Sequence, residues 1–139
     1  MHHDNLSIPN NANTSLTFDS ITSGYGTSFT YSAGAWTNAT GQTVYIQVNY
    51  HVNYASNTAA GQRQVWIQRN SDSYRFGQGL SSIAAAYPAG DIWLTGSGLF
   101  SLASGDSFSI VAYQNIGAAL AINSANTATS GLRVTWGQL

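Results

Sequence analysis

The chain has 139 residues, the size of a single domain, and its four arginines and five acidic residues leave a net charge of −1. This balance argues against nucleic-acid binding, which needs a basic surface to displace counterions. The absence of cysteine excludes disulfides and thiolate metal sites, and no apolar run is long enough for a membrane-spanning helix.

The residue types favour strands over helices from the first element onwards. Lysine and glutamate, which favour helices, are absent, whereas strand-forming threonine, tyrosine, tryptophan and valine recur throughout. Residues 1–13 are predicted to form an extended arm, because Pro9 and the Asn10-Asn11 pair interrupt regular structure. Residues 14–139 are predicted to form the domain. Its first strand signals are two alternating pairs, Leu16 with Phe18 and Phe29 with Tyr31.

The clearest predicted strand is Thr43–Tyr54, in which apolar and polar residues alternate over the whole length. The next strand, 63–70, directs its aliphatic residues towards the core and Trp66 towards the opposite face. Arg63 and Arg69 share the core-side parity, so we expect them at strand ends or beyond a bulge.

Loop and strand signals alternate along the rest of the chain. Residues 70–79 are predicted to be a loop, and 80–90 stay ambiguous, because their alanines allow a helical turn that a proline soon ends. The strand 91–102 contains Gly96 and Gly98, which mark a close approach of another backbone or chain. Further strands are predicted at 107–113, 118–122 and 131–136. This pattern predicts an all-β fold, an antiparallel β-sandwich with jelly-roll topology.

Three segments carry a resemblance to a known superfamily. Gly41–Val52 is a long strand that follows a glycine turn and contains an aromatic-His-Val run near its end. Leu102–Gln114 combines a Leu-x-x-Gly-Asp turn, an alternating strand and a terminal glutamine, and Ser130–Trp136 is a Ser-Gly-hydrophobic closing strand. Over about Thr14–Leu139, the chain resembles the trimeric jelly-roll superfamily of tumour necrosis factor and the complement globular heads. The continuation Tyr113–Ile122 resembles the versions found in phage and viral surface proteins.

The resemblance implies a homotrimer that binds through its outer surface and has no catalytic role. Residues 1–13 contain no collagen-like Gly-x-y repeat and cysteine is absent, so we expect a stand-alone trimer unit rather than a complement or cytokine protein. The implied function is that of a virion surface protein, a capsid decoration or a fibre head, that contacts a host receptor or glycan. Residues 1–13 would dock on the capsid, a fibre stalk or a neighbouring subunit. The alternative is a secreted or cell-surface lectin of the same fold.

No residue is predicted to be catalytic or to hold a metal or cofactor. The chain lacks a GxSxG elbow and paired acids within one segment, so we expect no hydrolase. Asp106 is interpreted as a turn acid whose carboxylate accepts a local backbone N–H, and Gln114 and Asn115 as scaffold at a strand end. His2 and His3 do not by themselves make a metal site. A calcium site that several loop aspartates assemble stays open.

Outward-facing aromatic residues are the strongest candidates for binding contacts. A tryptophan that a strand turns away from its apolar face usually meets another surface. A neighbouring subunit is favoured over a glycan, because interfaces are enriched in aromatic side chains. The candidate contacts are Tyr50, His51, Trp66, Tyr74, Arg75 and Trp93. If His51 lies at a trimer interface, its protonation at about pH 6 would loosen the assembly.

Overall fold

The computed structural model describes residues 6–18, 28–83, 92–122 and 131–137. Within these ranges the fold is all-β, with eleven strands and no helix. The strands are β1 (Ser7–Ile8), β2 (Thr14–Ser15), β3 (Phe29–Ser32), β4 (Ala35–Asn38), β5 (Val44–Tyr54), β6 (Gly61–Arg69), β7 (Arg75–Ile83), β8 (Ile92–Leu102), β9 (Ser107–Gln114), β10 (Leu120–Ala121) and β11 (Gly131–Gly137). The histidines of the predicted arm, His2 and His3, lie outside the described residues.

Two antiparallel sheets make up most of the fold, in an arrangement consistent with a β-sandwich. The smaller sheet has the strand order β11-β5-β8, and the larger has β3-β4-β9-β6-β7, with β2 also paired to β9. A third, two-stranded sheet joins β1 to β10. The strands of each sheet are antiparallel to their neighbours, as the short-strand pattern of the sequence predicts.

Strict alternation in β5 fixes which face of the smaller sheet meets the core. Its predicted apolar positions are all buried: Val44, Ile46, Val48, Tyr50 and Val52. They belong to one hydrophobic cluster with inward residues of the larger sheet, such as Val65 and Ile110. Because side chains alternate between the faces of a strand, the intervening residues of β5 form the outer face of the smaller sheet.

Aromatic rings fill one end of the core and join the two sheets. Trp36 on β4 stacks on Phe108 of β9, with ring centroids 5.4 Å apart, and contacts Tyr31 at 4.5 Å. Phe100 on β8 stacks on Phe76 of β7 at 4.3 Å and meets the edge of Phe108. Such ring pairs add about 0.5–1.5 kcal/mol each beyond the area they bury.

Glycines allow β7 and β8, which belong to different sheets, to approach at backbone contact. A Cβ on Gly96 of β8 would overlap the carbonyl oxygen of Gly77 and the hydroxyl of Tyr50. A Cβ on Gly98 would lie 2.8 Å from Cβ of Phe76. On the β7 side, Gly77 has a φ of +54° and would overlap the backbone of β8 if it carried a side chain. We call Gly77, Gly79, Gly96 and Gly98 the glycine seam, and it confirms the predicted close approach.

The strand β7 is the main difference from the sequence prediction. The loop predicted over 70–79 ends at residue 74, because β7 begins at Arg75 and pairs with β6. The register between β6 and β7 shifts between Val65 and Ile67, so a bulge accommodates Gly77 opposite Trp66. Glycine and glutamine in this segment resemble loop residues in the sequence, but they lie in a bulged strand that the other sheet covers.

The described part of the predicted arm packs against the domain. Ile8 is fully buried, and β1 pairs with β10. The backbone N–H of Asn11 donates to the carbonyl of Gln114 at 2.8 Å, and the backbone N–H of Gly117 donates to Asn10 Oδ1 at 2.9 Å. The boundary at residue 13 stays a prediction, and residues 6–13 contribute to the same core as the strands.

The glycine seam predicts a strong effect of a single added methyl group. The Gly96→Ala variant is expected to lose about 3 kcal/mol of unfolding free energy, because its Cβ overlaps backbone and Tyr50. The matched control is Ser97→Ala, an exposed neighbour on the same strand, with an expected change within about 0.5 kcal/mol. Urea unfolding checks both, and equal stability of the two variants would contradict a closely packed seam.

Candidate functional site

Tyr50 is buried between the sheets and is not a surface contact in the chain as described, which corrects its place among the candidate binding residues. Only 3% of its surface is exposed. Its hydroxyl lies 2.6 Å from the carbonyl oxygens of Val65 and Gly77, and it accepts the backbone N–H of Gly79 at 2.8 Å. One proton can be donated to only one carbonyl at a time. The apolar parity of β5 carries this ring inward, so its role is to join β5 to β6 and β7.

Tyr54 makes a second connection of the same kind at the end of β5. Its buried hydroxyl lies 3.0 Å from the carbonyl of Gln64 on β6 and 3.1 Å from that of Tyr113 on β9. Burial raises the pKa of Tyr50 to about 12 and raises the pKa of Tyr54 as well, because the low-dielectric core disfavours a phenolate.

Trp66 lies on the outer face of β6, as its parity predicts, but it is not exposed. Only 1% of its surface is accessible. The guanidinium carbon of Arg75 lies 4.0 Å from the ring centroid, and the indole N–H donates to Gln68 Oε1 at 3.2 Å. The strand neighbour on β9 is Val111, which is also buried. The expectation of an exposed tryptophan here is therefore wrong, because an arginine from β7 covers the ring.

A cleft opens on this outer face of the larger sheet, and we call it the amide cleft. It has a volume of about 240 Å³. The lining residues come from β6, β7, β9 and the segment before β2: Asn13, Gln62, Gln64, Trp66, Arg75 and Tyr113. Arg75 opens β7 rather than lying in a loop, and strand pairing with Gln68 places it beside the outward residues of β6.

Glutamine side chains form a hydrogen-bonded row across the amide cleft. Gln78 Nε2 donates to Gln64 Oε1 at 2.8 Å, and Gln64 Nε2 donates to Gln62 Oε1 at 2.9 Å. At the other edge, the hydroxyl of Tyr113 donates to Asn11 Oδ1 at 3.1 Å. The row fixes the orientation of its amides, so the Nε2 group of Gln62 at its end is presented as a donor.

The outer face of the smaller sheet carries large apolar residues among polar ones, whereas that of the larger sheet is rich in amides. Three large residues lie exposed on it: Tyr45 at 44%, Trp93 at 41% and Leu99 at 69%. His51, also exposed, lies near Trp93, with ring centroids 6.2 Å apart. Thr95 is the β8 partner of His51, and both strands run side by side along their full length. We call the surface formed by Tyr45, His51, Trp93 and Leu99 the apolar face.

Tyr74 belongs to the β6–β7 hairpin and lies apart from both surfaces. It is 58% exposed, and its ring lies 4.8 Å from that of Phe76. The hairpin is held by Asp72, which pairs with Arg69 and accepts the backbone N–H of Tyr74. This pairing holds the pKa of Asp72 at about 2, mainly through the hydrogen bonds from Arg69 and Tyr74. Arg69 is thus at a strand end, as predicted.

The polar residues of the Leu102–Gln114 segment are scaffold, as interpreted from the sequence. Asp106 accepts the backbone N–H of Ser107 at 2.7 Å and the hydroxyl of Ser71 at 2.6 Å. Gln114 is fully buried, and its amide bonds the carbonyls of Ile8 and Ala118 and the N–H of Ile116. These contacts join β9 to the N-terminal segment and the following turn.

Arg63 departs from its expected place near a strand end or bulge. It lies inside β6 and is fully buried, and its guanidinium donates to the carbonyls of Gly61 and Ala59 at 3.0 and 3.1 Å. Desolvation lowers its pKa. Its guanidinium provides hydrogen bonds to nearby carbonyls of its own chain, and the side chain contributes to neither surface.

Several surface residues were missed by sequence reasoning. Leu99 and Tyr45 have the same outward parity as Trp93, and this parity signal was available in the sequence. The neighbouring pair Leu99-Phe100 conceals it, because two adjacent apolar residues cannot share one face. Asn13, Gln62 and Tyr113 carry no such signal, since only the sheet order brings them together.

No protein-family model and no curated protein matches the sequence. Within the described ranges, no cluster of three or more histidine or acidic side chains is placed to hold a metal ion. The same ranges contain no helix with the length and apolarity needed to cross a membrane. The two candidate surfaces are therefore defined by their geometry: an apolar face on one sheet and an amide cleft on the other.

The buried tyrosines predict a loss of stability at alkaline pH. Their raised pKa values mean that the protonated hydroxyls contribute stability that is complete below about pH 10 and is lost as the pH rises towards 12. The loss from Tyr50 alone is about 3 kcal/mol. Urea unfolding between about pH 9 and pH 12 measures it, with exposed Tyr45→Phe as a control that keeps the full pH dependence. An unfolding free energy constant across this range would contradict the assignment.

Proposed function

We propose that the protein is a non-enzymatic, homotrimeric jelly-roll module that serves on a virion surface as a capsid decoration or a fibre head. The exposed apolar face is the observation that carries the proposal. Its aromatic and aliphatic side chains are Tyr45, Trp93 and Leu99. Trp93 and Leu99 lie at different positions along β8, with exposed Thr95 and Ser97 between them. Interfaces are enriched in aromatic residues, which include Tyr45 and Trp93.

The order of the strands supports the jelly-roll part of the proposal. The chain passes from β5 in the smaller sheet to β6 and β7 in the larger, returns through β8, and crosses again to β9. It ends with β11 beside β5. The chain thus crosses between the sheets several times, with β6 and β7 as a hairpin within the larger sheet, and such crossings are expected of a double-sheet jelly roll.

Subunit number and location rest on the resemblance of the sequence to trimeric jelly-roll proteins of virions. The proposed surface of such a trimer is the apolar face, which lies on the strands β5 and β8 rather than on loops. A non-catalytic role is supported by Asp106, whose carboxylate accepts the backbone N–H of Ser107 and the hydroxyl of Ser71.

Attachment to a host glycan is a second candidate function, and the amide cleft favours it. Amides, a tyrosine hydroxyl and an arginine line one open cleft, a set of groups that hydrogen-bonds sugar hydroxyls well. This function fits a fibre head on a virion and also a secreted or cell-surface lectin. It requires nothing of the apolar face, because the cleft lies on the other sheet.

Light scattering on the purified protein tests the trimer directly. One chain has a mass of 14.7 kDa, and we expect a particle of three chains at micromolar concentration. A monomeric mass would overturn the assembly and, with it, the proposed use of the apolar face.

The Leu99→Glu variant tests which surface joins the subunits. We expect it to be monomeric, because an unpaired carboxylate buried at each interface is strongly unfavourable. Leu80→Glu is the matched control: Leu80 is 56% exposed on β7, in the other sheet, and its variant should keep the trimeric mass. If Leu99→Glu stays trimeric and Leu80→Glu is monomeric, the proposal is wrong about the apolar face and the interface lies on the larger sheet.

A further inference from the structure

Arg75 is the cation of the amide cleft, and no carboxylate neutralises it within the described residues. The other arginines are accounted for elsewhere: Arg63 is buried in the core, Arg69 pairs with Asp72, and Arg133 is exposed on the opposite sheet. The six residues that line the cleft include no acid. The cleft therefore presents one positive charge among neutral polar groups.

Contact with Trp66 positions the guanidinium of Arg75 in the cleft. Its central carbon is 4.0 Å from the indole centroid, within the range of a cation–π contact. A guanidinium carries five N–H donors in a planar fork, and a contact with the ring does not use them as hydrogen-bond donors to an anion. A planar carboxylate is the anion that accepts two of these N–H groups in parallel.

The neutral groups around Arg75 suit hydroxyls rather than a second charge. The Nε2 group of Gln62 ends the glutamine row, and Asn13 contributes another amide. The hydroxyl of Tyr113 donates to Asn11 and keeps a lone pair with which to accept. Because Arg75 already covers Trp66, that ring is not open for a neutral sugar to stack on.

We infer that the amide cleft binds an acidic saccharide, a terminal sugar that carries a carboxylate, with the carboxylate on Arg75 and the ring hydroxyls on the amides. Sialic and uronic acids share this chemistry. The volume of about 240 Å³ is below the range of about 300–1,000 Å³ for drug-sized ligands and suits one sugar residue. The inference rests on glycan attachment, the second candidate function, and is independent of trimer formation.

Nuclear magnetic resonance titration of the full chain provides the test, read on the indole N–H signal of Trp66. The probes are the methyl glycoside of N-acetylneuraminic acid, methyl glucuronide, neutral methyl galactoside and sodium acetate. We expect at least one acidic glycoside to shift the signal and to bind about tenfold or more tightly than the neutral glycoside and acetate. The two acidic probes distinguish the sialic from the uronic source.

Two charge-matched variants decide whether Arg75 is responsible. Arg75→Gln is expected to weaken binding of the acidic probe by about 10- to 100-fold, because the charge-assisted hydrogen bonds are lost. Arg133→Gln removes the same charge from the other sheet and should leave the affinity unchanged. An equal loss of affinity in both variants would mean that only net charge matters, and it would overturn the inference. Acetate that binds as tightly as the acidic glycosides would overturn it as well.

The outcomes separate this inference from the functions on which it draws. Tighter binding of neutral methyl galactoside in the cleft would retain glycan attachment but overturn the acidic ligand. Failure of all three glycosides to bind would overturn both. The particle mass of Arg75→Gln, measured by light scattering, is expected to equal that of the unaltered protein. A loss of ligand binding in this variant would then not result from a change in assembly.

Discussion

The hydroxyl of Tyr50 occupies the point where three strands from two sheets meet. It contacts Val65 on β6 and Gly77 and Gly79 on β7, while its own backbone belongs to β5. The backbone groups at this point are screened from water, so each needs a partner within the protein. The phenol of Tyr50 accepts the N–H of Gly79 and donates its one proton to either carbonyl in turn, provided that β8 comes close enough to seal the site. That proximity requires Gly96, which leaves room for both the hydroxyl and the carbonyl of Gly77.

The bulge in β7 links the contact between Gly77 and Tyr50 in the core to the position of Arg75 on the surface. Gly77 can meet Tyr50 only if β7 departs from regular pairing between Val65 and Ile67. Beyond the bulge the strand regains its register, with Arg75 opposite Gln68. The same deviation thus places the guanidinium over Trp66 on the outside of the sheet. A feature of core packing thereby determines the shape of the amide cleft.

Periodicity in the sequence was sufficient to predict the long strands and their faces. Val44–Val52 alternates without interruption, and the inward side is the one predicted. Side-chain parity also predicted an outward Trp66, but not that Arg75 covers it, because the two residues become neighbours only through the β6–β7 hairpin. Tyr50 was assigned to a surface although its parity is inward. The sequence does not show that the hydroxyl of a buried tyrosine has partners, because those partners are distant in sequence, on β6 and β7.

The order in which the sheet is completed has a consequence for biosynthesis. β5 lies at the centre of the smaller sheet, and one of its two neighbours is β11, which supplies Leu132 and Val134 to the core. During translation, β5 and β8 emerge well before β11, so the sheet that carries the apolar face is incomplete until that strand leaves the ribosome. Until then β5 pairs with β8 alone, and its other edge leaves backbone N–H and C=O groups unpaired. An open edge on a long apolar strand is a site at which partly synthesised chains can aggregate.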